Sequence, residues 1–574
     1  MDRTGLYGLF DLDGAPPDPQ AVAVLGFAPE GGNAPRVAAV DLADPGAATC
    51  NDADGAAVTL LLGRLDDPRA IAERLGMAVG TPHAALAGAA YARFGGEIRT
   101  LLHGEWTLAH WNGRTLTLIA SRTRRDPLFY ATHGSRIAIG PDLRQLSRIA
   151  WVGDAFDPSG LLMALGRASL RAPEDGRTPI AGIAALLPGA CLTIDHSGVR
   201  ATPLAPLDID ADWRGDLATA MAEAEALMRD IVRQRMVGGN YACMLSGGLD
   251  SSTLAWLVAQ GLHPDEHLRF LTSAATPGVH QIDEMAEAGI VARHLDIPHD
   301  PVVAASLPGP YHPDPLLFRD ANGPSLDVRH YLYHRFAVQT RAQGATLLFD
   351  GQFGELTFTN SLPLRAPLPW WRKTRHVLSA RAPGPAEAFH VYLASHRLSA
   401  PPEPLRDALQ RRPQPMHLPA ASERWGISSG FAKAARAPAS LDLGRVRVAM
   451  PFRDPRLVAL FGGFPAGMLY PKDGTRAAAR QLLAGKLPEA IRLRGKGPGF
   501  APDYGDRLFS EAEAARARIG LFRRAGADEW LDLDALDRGL ARATRGATAS
   551  HGDATRTQLT ALAGEFIAWW RGFS

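Results

Sequence analysis

Cysteine is nearly missing from this chain of 574 residues: Cys50, Cys191 and Cys243 stand far apart, with no C-x-x-C pair and no His/Cys cluster. That excludes a disulfide framework and a structural zinc site. An excess of charge is missing too, since 61 Lys+Arg against 60 Asp+Glu leave a formal net charge of +1. This balance removes any global electrostatic case for nucleic-acid or membrane-surface binding. No run reaches the roughly 18 apolar residues of a membrane span, and the first residues lack a basic region followed by an apolar stretch. The expectation is a soluble, unexported, cytoplasmic protein with no nucleic-acid partner. Lysine is scarce in its turn, confined to Lys373, Lys433, Lys472, Lys486 and Lys496, so each of the five merits attention.

What is present is a chain 46% hydrophobic and 21% charged, too long for one core to keep growing, so at least two domains are expected. The first two hundred residues read as short, often apolar segments broken by turns: TGLYGLFDLDG, AAVTLLLGRLDD, EWTLAHWNGRTLTLIASR, PLFYATHGSRIAIG and PGACLTIDHSGVR. WNGR and THGSR carry the glycine-containing chemistry of hairpin connections. A β-rich domain follows, with helices over 68–75 and 83–94 packed against it. Near residue 205 the character changes: Leu217, Met221, Ala224, Met228, Ile231 and Val232 fall at helical spacing. Beyond them, helical patterns alternate with the strand-like runs YACML, LRFLT and ATLLF, the sign of a parallel sheet with crossover helices. The expected domains are 1–205 and 206–574. Pro-rich stretches at 362–385 and 401–419, with PWWRK at 369–373, read as a long surface excursion anchored by aromatics, or as a lid or peptide-docking surface.

One stretch stands apart: CMLSGGLDSSTLAWL, residues 243–257. YACML is a strand-length run, SGGLDSS a polar turn and TLAWLVAQ a helical continuation. Strand, loop and helix in that order aim several backbone N–H groups and the positive end of a helix at one point, a cradle for phosphate oxygens. Gly247 and Gly248 let the backbone come close, Ser246, Ser251 and Ser252 add hydroxyls, and Asp250 can hold the Mg²⁺ that accompanies a triphosphate. It is not a Walker loop, because no GK[ST] follows. SGGLDSS resembles the pyrophosphate loop of the ATP pyrophosphatase family, which splits ATP into AMP and pyrophosphate. That resemblance implies adenylation of a carboxylate and capture of the mixed anhydride by a nucleophile.

Later stretches resemble the asparagine-synthetase-like branch: IDEMAEAGIVARHLDIPH (282–299), LLFDGQFGELTF (347–358), MPFRDPRLVAL (450–460) and GTRAAARQLLAGKLPEAIRLRGKGPGF (474–500). The amino-terminal part resembles the glutamine amidotransferase domain of these synthetases through TGLYGLFDLDG, LHGEWTLAHW and SRTRRDPLFY. The implied fold is an α+β, Ntn-hydrolase-like amino-terminal domain followed by an α/β parallel-sheet domain of the PP-loop (adenine-nucleotide α-hydrolase-like) type. Departures matter here. Thr4 stands where such a glutaminase has its amino-terminal cysteine, GRLDD (63–67) replaces an asparagine-and-glycine substrate motif, and Glu105 replaces an aspartate. Glutamine hydrolysis is therefore expected to be absent, and the nucleophile must be an amine already on a substrate.

Gln352 and Arg447 depart from the acidic or phenolic residue and the glutamate found in asparagine and β-lactam synthetases. Chain length, DGQFGE and the divergent amino-terminal domain together resemble a lasso peptide cyclase most. That resemblance implies ATP and Mg²⁺, a leader-cleaved core peptide as substrate, and a transglutaminase-like leader peptidase and leader-recognition element as partners. It implies nucleotide contacts from Leu245, Ser246, Gly247, Gly248, Asp250, Ser251, Ser252, Thr272 and Gly351, and metal ligands Asp250 with Glu355 or, with a one-residue shift, Asp350. It also implies that Lys496 stabilises charge around the acyl-adenylate and that Arg480 helps bind pyrophosphate. An ammonia-dependent asparagine synthetase, a β-lactam synthetase-like amide ligase, a tRNA-modifying enzyme and a degenerate ATP- or peptide-binding scaffold stand as alternatives.

Overall fold

The structure is a computed structural model. It describes residues 1–29, 33–44, 46, 48–53, 57–124, 126–165, 176–202, 207–210, 212–277, 282–303, 309–324, 327–354, 357–359, 391–398, 440–469, 476–495, 501–546 and 551–573. Eleven strands come first: β1 (Gly5–Asp11), β2 (Arg36–Val40), β3 (Ala48–Ala53), β4 (Ala57–Leu65), β5 (Gly104–Trp111), β6 (Leu116–Ala120), β7 (Phe129–His133), β8 (Arg136–Gly140), β9 (Ile183–Ala185), β10 (Cys191–Asp195) and β11 (Gly198–Thr202). They make two sheets, of order β2-β1-β8-β7-β9 and β11-β10-β6-β5-β4-β3, with every pairing antiparallel. The two expected hairpins form. Asn112 turns β5 into β6 by accepting from the N–H groups of Arg114 and Thr115 at 3.1 and 2.8 Å, and Gly134 turns β7 into β8 at φ +60°.

Alternation along these strands sends one set of side chains between the sheets. Leu6, Phe10 and Leu12 of the first sheet's region meet Leu60, Leu62, Leu116 and Leu118 of the second in one buried cluster. The opposite faces are covered by helices. Pro19–Leu25 and Leu143–Ser147 lie on the first sheet, and Pro68–Leu75 and His83–Phe94, as read from sequence, lie on the second. The result is a four-layer helix–sheet–sheet–helix sandwich.

The later strands, β12 (Asn240–Met244), β13 (His267–Ser273), β14 (His299–Val302), β15 (Leu347–Phe349), β16 (Ser440–Leu441) and β17 (Val446–Ala449), form a sheet of order β14-β13-β12-β15-β17-β16. All its pairings are parallel except β16 with β17. Both faces are buried, as a parallel sheet requires. Tyr241, Cys243, Phe270, Leu347 and Phe349 point to the helices Leu217–Arg235, Leu249–Gly261 and Met285–Leu295. Ala242, Met244, Leu271, Leu348 and Val448 point to the helix His330–Ala342 and to the helices Leu533–Ala543 and His551–Trp570. From β12 the chain steps outward to β13 and β14, then returns to β15 on the other side. The crevice between the carboxyl ends of β12 and β15 is thus a topological switch point, where open α/β sheets bind ligands.

The sandwich and the parallel-sheet part are joined by buried polar contacts. Arg235, on the helix Leu217–Arg235, pairs with Asp66, with Asp454 at 3.0 Å and with Glu105 at 3.7 Å. Arg456 reaches both Asp66 and Asp454. Burial alone would raise the Asp454 carboxyl, but the Arg456 hydrogen bond and the charges of Arg235 and Arg456 hold it below the usual carboxylate range. The helix His551–Trp570 joins the two parts a second way: the Arg144 guanidinium lies 4.2 Å from the Trp569 ring centroid, and the Trp570 indole N–H donates to the Asp154 carbonyl at 3.2 Å.

Candidate active site

The SGGLDSS stretch leaves β12 and enters the helix Leu249–Gly261 at Gly248, whose N-cap position makes no side-chain capping bond. The first-turn amides are therefore open toward the loop. Gly247 takes φ +68°, and a Cβ there would sit 2.6 Å from the Glu287 Cβ, so only glycine fits between this turn and the start of the helix Met285–Leu295. The Ser246 and Ser251 hydroxyls lie 2.8 Å apart. Ser251 Oγ accepts from the Ser246 N–H at 3.1 Å, and Ser246 Oγ accepts from the Gly248 N–H at 3.3 Å. The loop is thus pre-shaped by its own serines. Ser252 is fully buried, and among the described residues its Oγ has no hydrogen-bond partner. Thr272 is equally buried; its hydroxyl donates to the Leu245 carbonyl at 2.5 Å and accepts from His299 Nε2 at 2.7 Å. Burial lowers the His299 pKa and so favours the neutral ring, whose Nε2–H tautomer supplies this donor.

The third loop follows β15 and lies across the crevice. A Cβ on Gly351 would be 3.0 Å from the Ser251 Cα and N, and one on Gly354 would be 1.7 Å from Asp250 Oδ1. Two glycines therefore let this loop close onto the first one. Asp250 also accepts from the Thr359 hydroxyl. Asp350, which follows β15 directly, is buried. Its Oδ1 accepts from the Gln352 N–H at 3.0 Å and its Oδ2 from Gln352 Nε2 at 2.8 Å. Gln352 Nε2 also donates to the Tyr333 hydroxyl at 2.5 Å, and burial raises the Tyr333 phenol well above its ordinary value. Of the two candidates from sequence, Asp350 directly follows β15 at the carboxyl end of the sheet, while Glu355 lies outside the described residues. Asp250 and Asp350 offer hard carboxylate oxygens on facing loops, a donor type that suits Mg²⁺; among the described residues no group of three His, Cys, Asp or Glu side chains gathers as a metal cluster.

A residue that the sequence reading passed over, Arg494, closes the loop from outside. Its guanidinium donates to the Ser246 carbonyl at 3.0 Å and pairs with Glu284 at 3.6 Å and Glu287 at 3.4 Å. Burial pushes the Glu284 carboxyl up to about 7; Arg494 opposes this, and Glu287 and Asp283 add to it. Arg480 rides on the short helix Ala477–Leu482, which packs on the helix Leu249–Gly261, and its Nε is buried with no hydrogen-bond partner among the described residues. Lys496 lies outside the described residues, as do Lys373, Lys433, Lys472, PWWRK and both Pro-rich stretches. Lys486 proves structural: it pairs with Glu225 and stands 4.9 Å from the Trp256 ring centroid.

At the amino-terminal positions singled out from sequence, the side chains are engaged elsewhere. Thr4 is buried; its hydroxyl donates to the Gly444 carbonyl at 3.0 Å and accepts from the Leu42 N–H at 2.8 Å. Within GRLDD, Arg64 forms a double hydrogen bond to Asp44, Asp66 holds Arg235 and Arg456, and Asp67 caps the helix Pro68–Leu75. Glu105 faces Arg235 and Arg453 at 3.7 and 3.8 Å.

The model of the asparagine synthase family matches residues 223–571, more than half of the chain. Asparagine synthetase [glutamine-hydrolyzing] 3 of Bacillus subtilis (strain 168) is 23% identical over 433 residues, 69% of this chain and 67% of that protein. Among solved structures, a glutamine phosphoribosylpyrophosphate amidotransferase of B. subtilis complexed with ADP and GMP covers 63% of this chain and 72% of its own, at 9% identity and TM-score 0.24. An NH3-dependent NAD synthetase of Campylobacter jejuni covers 25% of this chain and 60% of its own, at 13% identity and TM-score 0.17. Likeness that faint leaves the fold to rest on the strand order above: an α+β sandwich followed by an α/β parallel-sheet part. By the extent of its match the chain belongs to the asparagine synthase family, and its chemistry is that of an ATP-dependent ligase that forms amide C–N bonds.

Proposed function

We propose that this ligase is a lasso peptide cyclase acting on a leader-cleaved core peptide. An Asp or Glu side-chain carboxylate of the peptide attacks the α-phosphorus of ATP, and pyrophosphate leaves. The peptide's own α-amine then attacks the acyl carbon, forming the isopeptide bond as AMP departs and the amine gives up a proton. An α-amine with a pKa near 7.7–8 is substantially neutral near physiological pH, so the enzyme's task is activation, alignment and exclusion of water.

The observation that carries this reading is the pair of loops at the β12/β15 switch point. There no side chain caps the start of the helix Leu249–Gly261, Asp250 stands in its first turn against Gly354 and Thr359 of the third loop, and Asp350 opens that loop directly after β15. Leu245, Ser246, Gly247, Gly248 and Ser251 would cradle the nucleotide, with Thr272 fixing the Leu245 carbonyl and Gly351 the closure of the third loop. Asp250 and Asp350 would hold Mg²⁺, which supplies charge neutralisation on the phosphates; Glu355 is the alternative ligand. Lys496 and Arg480 take the roles that the family resemblance implies, at the acyl-adenylate and at pyrophosphate. In this reading the amine comes from the peptide: Thr4, where the resemblance would put a glutaminase cysteine, is tied to Leu42 and Gly444, and the charged residues of GRLDD are engaged in ion pairs or a cap. A leader peptidase and a leader-recognition element are the implied partners, in the cytoplasm. Among the described residues no helix is long and apolar enough to cross a membrane.

Incubation of the full chain with Mg·ATP and a linear core peptide tests this. Pyrophosphate release with loss of one water from the peptide mass is expected, and Asp250→Ala should abolish both. Asparagine formation from aspartate, ATP and ammonium, with no peptide product, would replace this reading with the asparagine synthetase one.

A further inference from the structure

We infer that Arg494 is a positioning residue that sets nucleotide affinity by shielding the phosphate loop from two carboxylates; the inference rests on the nucleotide-binding reading given above. An anion-binding turn is expected to have positive or neutral surroundings. Here the helix packed directly against Gly247 brings Glu284 and Glu287 to the loop, close enough that a Cβ on Gly247 would lie 2.6 Å from Glu287 Cβ. Left alone, Glu287, joined by Glu284 wherever it is ionised, would repel an incoming polyphosphate across a short path.

Arg494 answers both. One guanidinium spans Glu284 at 3.6 Å and Glu287 at 3.4 Å while donating to the Ser246 carbonyl at 3.0 Å. The Arg494 side chain is 14% exposed and that of Glu284 11%, so this pair is held away from bulk water, while Glu287, 36% exposed, is the outer partner. The planar fork suits this three-way contact as a lysine ammonium would not.

Affinity of the full chain for Mg·ATP, measured by calorimetry in the presence of linear core peptide, tests the assignment. Arg494→Ala is expected to weaken binding about tenfold or more, the scale of one lost partly buried charge contact. Adding Glu284→Gln and Glu287→Gln to that variant should restore most of the loss, a rescue that a purely structural role for Arg494 would not give. In an otherwise unaltered protein, Glu287→Gln alone should tighten binding about two- to threefold, and this variant decides the matter if Arg494→Ala does not fold. The inference is overturned if Arg494→Ala binds like the parent, if the triple variant binds no better than Arg494→Ala, or if Glu287→Gln leaves binding unchanged or weakens it. Failure of the parent itself to bind Mg·ATP would strike the proposed function instead.

Discussion

Replacing Arg235 with methionine would test whether the sandwich and the parallel-sheet part stand or fall together. The guanidinium it removes is 8% exposed and faces Asp66 and Asp454, each 3% exposed, as well as Glu105. The remaining carboxylates keep Arg456 and Arg453 but lose the cation between them. Breaking a buried pair from one side typically costs about 3–5 kcal/mol, because the surviving charge stays desolvated. For units of this size that corresponds to a fall of roughly 6–20 °C in the midpoint. Scanning calorimetry at one fixed scan rate is the suitable assay, since a protein of this length is expected to unfold irreversibly. The pH dependence has a definite sign. Asp454 is held below its ordinary pKa, so its contribution is present above the unfolded carboxylate range and lost as pH falls through the lower folded value. The deficit of Arg235→Met should therefore be full at pH 7 and shrink toward pH 3. Adding Asp66→Asn and Asp454→Asn should recover part of it. A midpoint within about 1 °C of the parent at pH 7 would refute the reasoning.

Two more outcomes follow from the site. Gly354→Ala places a methyl 1.7 Å from Asp250 Oδ1 and must push that carboxylate aside; pyrophosphate release should fall about 10- to 100-fold with the melting midpoint nearly kept, and an unchanged rate would show that Asp250 is not needed where it stands. Glu284→Gln should stabilise the protein progressively as pH rises from about 4.5 to 7: burial lifts the carboxyl from 4.5 to about 7, so the parent loses stability through that window, by about 3 kcal/mol once it is crossed. Denaturant titrations at pH 5 and pH 8 that show no widening gap between variant and parent would contradict this.

Local chemistry was readable and juxtaposition was not. The hairpin at WNGR, the helices Pro68–Leu75 and His83–Phe94, and the strand–loop–helix at SGGLDSS announce themselves because turn residues, periodicity and glycines act over a few neighbouring positions. β2 and β3 escaped notice: PRVAAVDL and ATCNDA alternate weakly and owe their strand form to β1 and β4 beside them. The Arg235 pairs join residues 169 and 219 positions apart, and Arg494 meets Ser246 across 248. No pattern within a window carries such contacts, although Arg494 stood in the quoted RLRGKGPGF. In sequence Gln352 marks only the loss of an acid or phenol; in the structure its amide connects Asp350 to the Tyr333 phenol from the helix His330–Ala342.

The helix His551–Trp570 completes a hydrophobic surface begun by the sandwich, where the Trp570 ring packs 6.2 Å from that of Phe156. During synthesis, some four hundred residues separate the emergence of those two partners. At about 5–20 residues per second, the nascent sandwich must wait tens of seconds with that patch uncovered. Chaperone capture in this interval, and aggregation when translation stalls before the helix leaves the ribosome, are the burdens that such a late-arriving cover places on production of the protein.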